Sequence, residues 1–150
     1  MRELTKAEID AFLSQPLIAR IATVRRDGRP HIAPIWFVWD GETICMETSP
    51  RFLKVKNLKH NPRCAISIDI TEGGLRFKAV ILEGEVELVE DDQEFARQTA
   101  EKIYVKYLGA EGILAPTPQR MINSPHVIIR LKPQRIISWD WTSSGVAPVP

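Results

Sequence analysis

The feature that most constrains the fold is a series of strand-like runs joined by very short turn sequences. Residues 18–24 and 32–39 are rich in branched and aromatic side chains, and Asp27-Gly28 stands between the two runs. A second dipeptide of this kind, Asp40-Gly41, precedes a third run at 43–47. Asp-Gly between apolar runs is a strong signal for a tight β-hairpin. The first third of the chain is therefore predicted to form antiparallel sheet.

A long alternating segment extends the same pattern into the second half of the chain. Its apolar and small positions are Val80, Leu82, Gly84, Val86 and Leu88, and three glutamates fill the positions between Leu82 and Leu88. When apolar residues recur at every second position of a strand, one face of the strand points to a core and the other to water. We predict one long fifth strand here, after a fourth strand at 64–70.

Two more strands are predicted near the C-terminus, at 127–131 and 135–139, separated by Lys132-Pro133. Strands joined mostly by hairpins form an antiparallel sheet, and closing that sheet into a barrel removes its exposed edges. We therefore predict one mainly β domain over residues 1–150, a small β-barrel of six to seven strands with short helices. Residues 142–150 are expected to form a tail.

Three short helices are expected beside the strands. Thr5 and Glu8 have the spacing of a capping box, and the helix that they begin should end before Pro16. Asp91 with Glu94 predicts the start of another helix, which Gly109 should stop.

Composition excludes several functional classes. The 150 residues are 44% hydrophobic and 26% charged, with a formal net charge of +1, which is typical of a globular domain and lacks the positive field of a nucleic-acid-binding protein. The N-terminus is not a cleavable apolar signal, and no apolar run is long enough for a membrane span, so we expect a cytoplasmic protein. Cys45 and Cys64 lack the spacing of a metal site and are interpreted as reduced thiols.

The segment TSPRFLKVKNL, residues 48–58, predicts a third helix with unusual charges. Ser49 is a favourable N-cap and Pro50 a favourable first helical residue, but Arg51 and Lys54 bring cations to a helix start, where anions are preferred. One interpretation is that the free amides, the two hydroxyls and the two cations bind one phosphate group. The alternative is that these cations form a solvated basic face.

Five sequence segments resemble a known family, the pyridoxamine-phosphate-oxidase-like flavin-binding split barrels. They are the hairpin RDGRP at 26–30, the strand PIWFVWDG at 34–41, the pattern T-S-x-x-x-x-K at 48–54, Asn57-Leu58, and Asn61-Pro62-Arg63. The resemblance is best over residues 5–90. The chain is short and lacks the longer C-terminal ending of true pyridoxamine-phosphate oxidases. In this respect it is similar to the subgroup that uses flavin mononucleotide (FMN) or the deazaflavin coenzyme F420.

The resemblance implies a Greek-key split barrel, a homodimer and a cofactor site between two subunits. The implied cofactor-binding residues are Ala33, Pro34, Ile35, Trp36, Phe37, Glu47, Thr48, Ser49, Arg51 and Lys54. Thr48, Ser49 and Lys54 would hold the cofactor phosphate, and the strand 33–37 would run along the ring. Residues 78–80, Tyr104 and Tyr107 are expected to contribute from the second subunit.

The implied function is an oxidoreductase that transfers a hydride between bound FMN, or alternatively F420, and a small organic substrate. The cofactor carries this chemistry, so no nucleophile or metal is expected from the protein, and no catalytic residue is assigned. Two alternatives stay open: a non-catalytic protein that binds or stores a flavin or haem-type ligand, and a pyridoxamine-phosphate oxidase.

Overall fold

The computed structural model describes residues 2–72 and 76–141 of the chain. The helices are α1 (Lys6–Leu13), α2 (Leu53–His60), α3 (Gln93–Gly112) and α4 (Pro116–Ile122). The strands are β1 (Ala19–Val24), β2 (Pro30–Ile35), β3 (Val38–Trp39), β4 (Ile44–Thr48), β5 (Arg63–Thr71), β6 (Phe77–Glu85), β7 (Glu87–Val89), β8 (Val127–Leu131) and β9 (Arg135–Asp140). The predicted tail at 142–150 lies outside the described residues.

The strands form two sheets around one core. The larger sheet has the order β2-β1-β5-β6-β9 and the smaller β3-β4-β8-β7, and the strand pairs of the described residues are all antiparallel. Ile21 and Ile66 from the larger sheet and Met46 and Ile129 from the smaller one are fully buried in the same apolar cluster. This is the mainly β, antiparallel barrel with short helices that the sequence predicts.

The predicted strand at 32–39 is wrong as a single strand. It is divided into β2 in the larger sheet and β3 in the smaller sheet, with Trp36 and Phe37 between them. The Phe37 N–H donates to the Tyr107 hydroxyl at 3.3 Å, and the Phe37 carbonyl accepts from Lys106 at 3.1 Å. Because these backbone groups bond to side chains of α3, the chain leaves one sheet here and enters the other.

The long fifth strand is also divided between the sheets, into β6 and β7. The break falls at Val86, whose N–H donates to the carbonyl of Pro62 at 2.9 Å. Just before it, a Cβ on Gly84 would lie 3.0 Å from Leu131 Cδ1 and 3.2 Å from the Gln134 nitrogen. Glycine is favoured here because a side chain at this position would press against Leu131 and the backbone of Gln134. The seven predicted strands are therefore nine among the described residues.

The predicted start of α2 is wrong by three residues. The Ser49 carbonyl accepts from the Phe52 N–H at 3.3 Å, and the Ser49 hydroxyl accepts from the Arg51 N–H at 3.4 Å. These bonds make residues 49–52 a turn, and Phe52 becomes the N-cap without any side-chain capping bond. Arg51 therefore lies outside the helix instead of sharing a face with Lys54.

The other helices include one that the sequence interpretation missed. The capping box of Thr5 and Glu8 is present at α1. Helix α3 begins after Asp92, and the positive φ of 77° at Gly109 interrupts its helical backbone at the predicted stop. The Pro-containing segment beyond it, for which no helix was predicted, forms α4. None of the described helices is both long enough and apolar enough to cross a lipid bilayer.

Candidate functional site

A cavity of about 380 Å³ lies between β2, the end of β4, α2 and α4, and its volume is at the lower end of the range for small-molecule sites. Six of the ten sequence-predicted cofactor residues line it: Pro34, Ile35, Glu47, Thr48, Ser49 and Lys54. The remaining wall consists of Phe52, Met121, Ser124, Pro125 and His126. The structure thus brings the T-S-x-x-x-x-K residues together with part of the preceding strand.

The end of β4 places two polar residues at the cavity. Thr48 pairs with Val127 at the last position of the β4–β8 ladder and is almost fully buried. Its hydroxyl makes no hydrogen bond to any residue that the structure describes. Ser49 follows in the turn that leads to α2. Both hydroxyls are therefore available to a polar ligand.

Lys54 is the cation of the cavity. The residue is only 8% exposed, and its Nζ lies 4.6 Å from the centre of the Phe52 ring. Among residues 2–72 and 76–141, no carboxylate comes within 4.0 Å of it and no carbonyl accepts from it. Burial lowers the pKa of Lys54, and the negative charge of nearby Glu47 only partly opposes this effect. The ammonium of such a residue has few contacts with water, and a bound anion would supply an acceptor.

Glu47 and His126 form a hydrogen-bonded pair in the cavity wall. Nδ1 of His126 lies 2.7 Å from Oε1 of Glu47, and Nε2 lies 2.9 Å from the carbonyl oxygen of Ile122. The His126 side chain is 4% exposed and that of Glu47 is 17% exposed. Burial is the largest single influence on the His126 pKa and lowers it, but the bonds to Glu47 and Ile122, the charge of Glu47 and the Met121 backbone together raise the pKa above its ordinary value.

Four predicted cofactor residues do not line the cavity. The Trp36 ring stacks on Tyr107 at 4.5 Å, and Phe37 is fully buried in the core. Ala33 lies within β2 opposite Ile21, and Arg51 is exposed in the turn before α2. The turn at 36–37 directs the Trp36 and Phe37 side chains away from this cavity, and the expected position of the strand along a cofactor ring stays a prediction.

The side chains expected to act on a second subunit are engaged within their own chain. Val80 is fully buried in the core, and Tyr104 packs edge-on against Trp36 with ring centres 5.6 Å apart. The Tyr107 hydroxyl donates to the Leu17 carbonyl. In this arrangement Val80 and the two tyrosines stabilise the fold of their own chain.

Sequence interpretation missed His126 and the α4 side of the cavity. Pro116 at the start of α4 was an available signal, because proline is favoured in the first helical turn. For His126 no local signal exists, since its partner Glu47 is 79 positions away.

Comparison with known proteins identifies the family. Residues 5–140 match the family model described as pyridoxamine 5'-phosphate oxidase. A solved structure titled F420 Reductase is 30% identical, over 85% of this chain and 94% of that one, with a TM-score of 0.66.

Two mycobacterial structures are also similar. The conserved hypothetical protein Rv2991 from Mycobacterium tuberculosis is 27% identical over 98% of this chain and 91% of its own, with a TM-score of 0.82. An FAD and heme binding protein from Mycobacterium smegmatis has a TM-score of 0.75, covering 97% of this chain and 74% of its own, but at 17% identity it shows the shared fold alone. The family match over residues 5–140 and the barrel architecture together establish that this chain belongs to the pyridoxamine 5'-phosphate oxidase family.

Proposed function

We propose that this protein is an oxidoreductase that binds a flavin-type cofactor, FMN or coenzyme F420, and transfers a hydride between it and a small organic substrate. The observation that carries the proposal is Lys54, a nearly buried residue at a cavity whose ammonium has no carboxylate within 4.0 Å among the described residues. Both candidate cofactors contain a phosphate. The similarity to a structure titled F420 Reductase supports testing the deazaflavin beside FMN.

The residues at the cavity fit a phosphate group. Lys54 supplies the positive charge, and the hydroxyls of Thr48 and Ser49 supply hydrogen-bond donors at the start of the same turn. Arg51, exposed within this turn, is available as a second cation. Pro34 and Ile35 provide an apolar wall against which a ring can pack. The cofactor itself supplies the hydride chemistry, while these residues bind and orient it.

A homodimer is part of the proposal. β2 is an edge strand of the larger sheet, and its Ile32 side chain is 63% exposed. Phe52, at the mouth of the cavity, is 55% exposed. Exposed apolar side chains on a free sheet edge beside a ligand cavity are typical of a surface that a second chain covers. We propose that this second chain completes the ring site, since the cavity within one chain is small.

The direct test is a titration of the purified protein with FMN and with F420 in turn, followed by absorbance or calorimetry. We expect saturable binding of at least one of them, and reduction or oxidation of the bound cofactor when donors and acceptors are supplied. Binding of neither compound contradicts the proposal. A cofactor that binds and never changes redox state supports the storage alternative, and peroxide formed from pyridoxamine phosphate and oxygen supports the oxidase alternative.

A further inference from the structure

The geometry of the Glu47–His126 pair requires one shared proton. The Ile122 carbonyl can only accept, so Nε2 of His126 must carry a hydrogen. If His126 were neutral, its Nδ1 would present a lone pair to the Glu47 carboxylate oxygen at 2.7 Å, which is repulsive. A proton on the Nδ1 side removes this conflict. The pair is thus neutral overall with the proton and negative without it.

The groups that face the pair determine what this proton does to the cavity. Lys54 from α2 is the nearby positive charge, since it and Glu47 attract each other. From α3, Gln93 contributes only its uncharged amide, and burial raises the pKa of Tyr104 to about 12, so that Tyr104 stays neutral. The α4 contacts are backbone carbonyls, and β2 contributes Pro34 and Ile35. The net charge of these described groups is therefore positive with the shared proton and zero without it.

We propose that His126 is a positioning residue that neutralises Glu47 and holds it against the cavity wall, so that the cavity accepts an anion beside Lys54 only while the pair keeps its proton. The inference rests on the anion pocket of the proposed function. It follows from linkage that a bound anion strengthens proton binding by the pair, and that proton loss weakens anion binding by the same factor.

The experiment measures sulfate binding as a function of pH, because sulfate keeps the same charge throughout the titration of histidine whereas phosphate does not. The pKa of His126 is first read from histidine ring resonances by NMR, with and without sulfate. In the wild type we expect sulfate affinity to fall about tenfold as the pair loses its proton, which corresponds to about one pKa unit of coupling between the proton and the anion. Sulfate should also raise the His126 pKa.

Two variants separate this role from a structural one. In Glu47→Gln the amide N–H can donate to Nδ1 of a neutral imidazole, so the contact survives without the charge. Its sulfate affinity should stay level over the pH range in which the wild type loses affinity. In His126→Gln no histidine proton is shared with Glu47, so sulfate binding should be weak and level over the same pH range. If circular dichroism shows that His126→Gln does not fold, the wild type and Glu47→Gln still decide the question.

The outcomes are distinguishable from those of the proposed function. Sulfate binding in the wild type that is absent, or level across the measured His126 titration, overturns the inference, as does unchanged affinity in a folded His126→Gln variant. None of these measurements uses a flavin. A protein that shows the expected sulfate profile but binds neither FMN nor F420 would contradict the proposed function and leave this inference in place.

Discussion

Two lysines of this molecule, the buried Lys54 and the half-buried Lys106, contrast in what surrounds their ammonium groups. Lys106, on α3, donates to the carbonyls of Leu13 at 2.9 Å and Phe37 at 3.1 Å, and its Nζ lies 3.6 Å from the centre of the Phe37 ring. Lys54, on α2, has its Nζ 4.6 Å from the centre of the Phe52 ring and feels the charge of nearby Glu47, but no carbonyl or carboxylate of the described residues accepts a hydrogen bond from it.

The difference separates a structural cation from one suited to a ligand. Burial lowers the pKa of both lysines, and that of Lys106 falls to about 8. Lys106 bonds the end of α1 and the turn between β2 and β3 to α3, so carbonyl oxygens of the fold itself accept from its ammonium. For Lys54 the corresponding acceptor is missing beside a cavity, and we propose that the cofactor phosphate provides it.

The largest effect is expected from Lys106→Met. This substitution keeps the apolar stem but leaves the carbonyls of Leu13 and Phe37 without their donor, and should lower the free energy of unfolding by about 3 kcal/mol. Urea denaturation measures the change. Cofactor affinity of the folded variant should stay within about twofold of the wild type, a change of under ~0.5 kcal/mol. A loss of cofactor affinity equal to that of the Lys54 variant would contradict the assignment of a purely structural role to Lys106.

The matched variant Lys54→Met should lower cofactor affinity and leave the stability of the unliganded protein unchanged. Loss of one charge-assisted contact should weaken cofactor binding by about 2 kcal/mol, roughly 30-fold in Kd, whereas the unliganded protein should unfold at no lower urea concentration. Lys56→Met, at an exposed position of the same helix, is the control and should change neither quantity. Unchanged affinity in Lys54→Met, or a loss of stability without ligand, would count against the proposed anion pocket.

The pH dependence of stability sharpens the description of Lys106. In the folded protein its pKa is lowered from 10.5 to about 8, so between these values the unfolded chain binds more protons than the folded one. Stability must then rise with pH across this window and be level below it. We expect the unfolding free energy of the wild type, relative to Lys106→Met, to increase from pH 8 towards pH 10.5. A level or falling difference would show that the ammonium is not desolvated.

Much of the fold could be predicted because its signals are local. Each of the two Asp-Gly turns connects an antiparallel pair of strands, as predicted. The last two strands begin and end within one residue of their predicted bounds. The wrong strand predictions occur where the local sequence pattern carries no information about which sheet a residue joins. The run 32–39 has uniform strand character, and only the bonds from Phe37 to Tyr107 and Lys106 show that it changes sheets.

The candidate site also contains residues whose position could be predicted from the sequence and one, Arg51, whose position could not. Thr48, Ser49 and Lys54 lie close in sequence, and they meet at one cavity as their motif predicts. Arg51 does not line it, because the turn at Ser49 delays the helix by three residues. Pro50 was equally compatible with a helix start and with a turn. The binding roles of these residues stay predictions until the titrations are made.

From its sequence alone, this chain determines which segments are strands, where hairpins turn, and that two hydroxyls and a lysine follow the third strand. These properties depend on backbone preference and on which face of a segment is apolar, and both are written into neighbouring residues. Only the tertiary structure decided that Glu47 meets His126, 79 positions away, and that Lys54 is buried without an acceptor among the described residues. The physical reason is that burial and hydrogen-bond partnership belong to pairs of distant surfaces, and packing chooses those pairs.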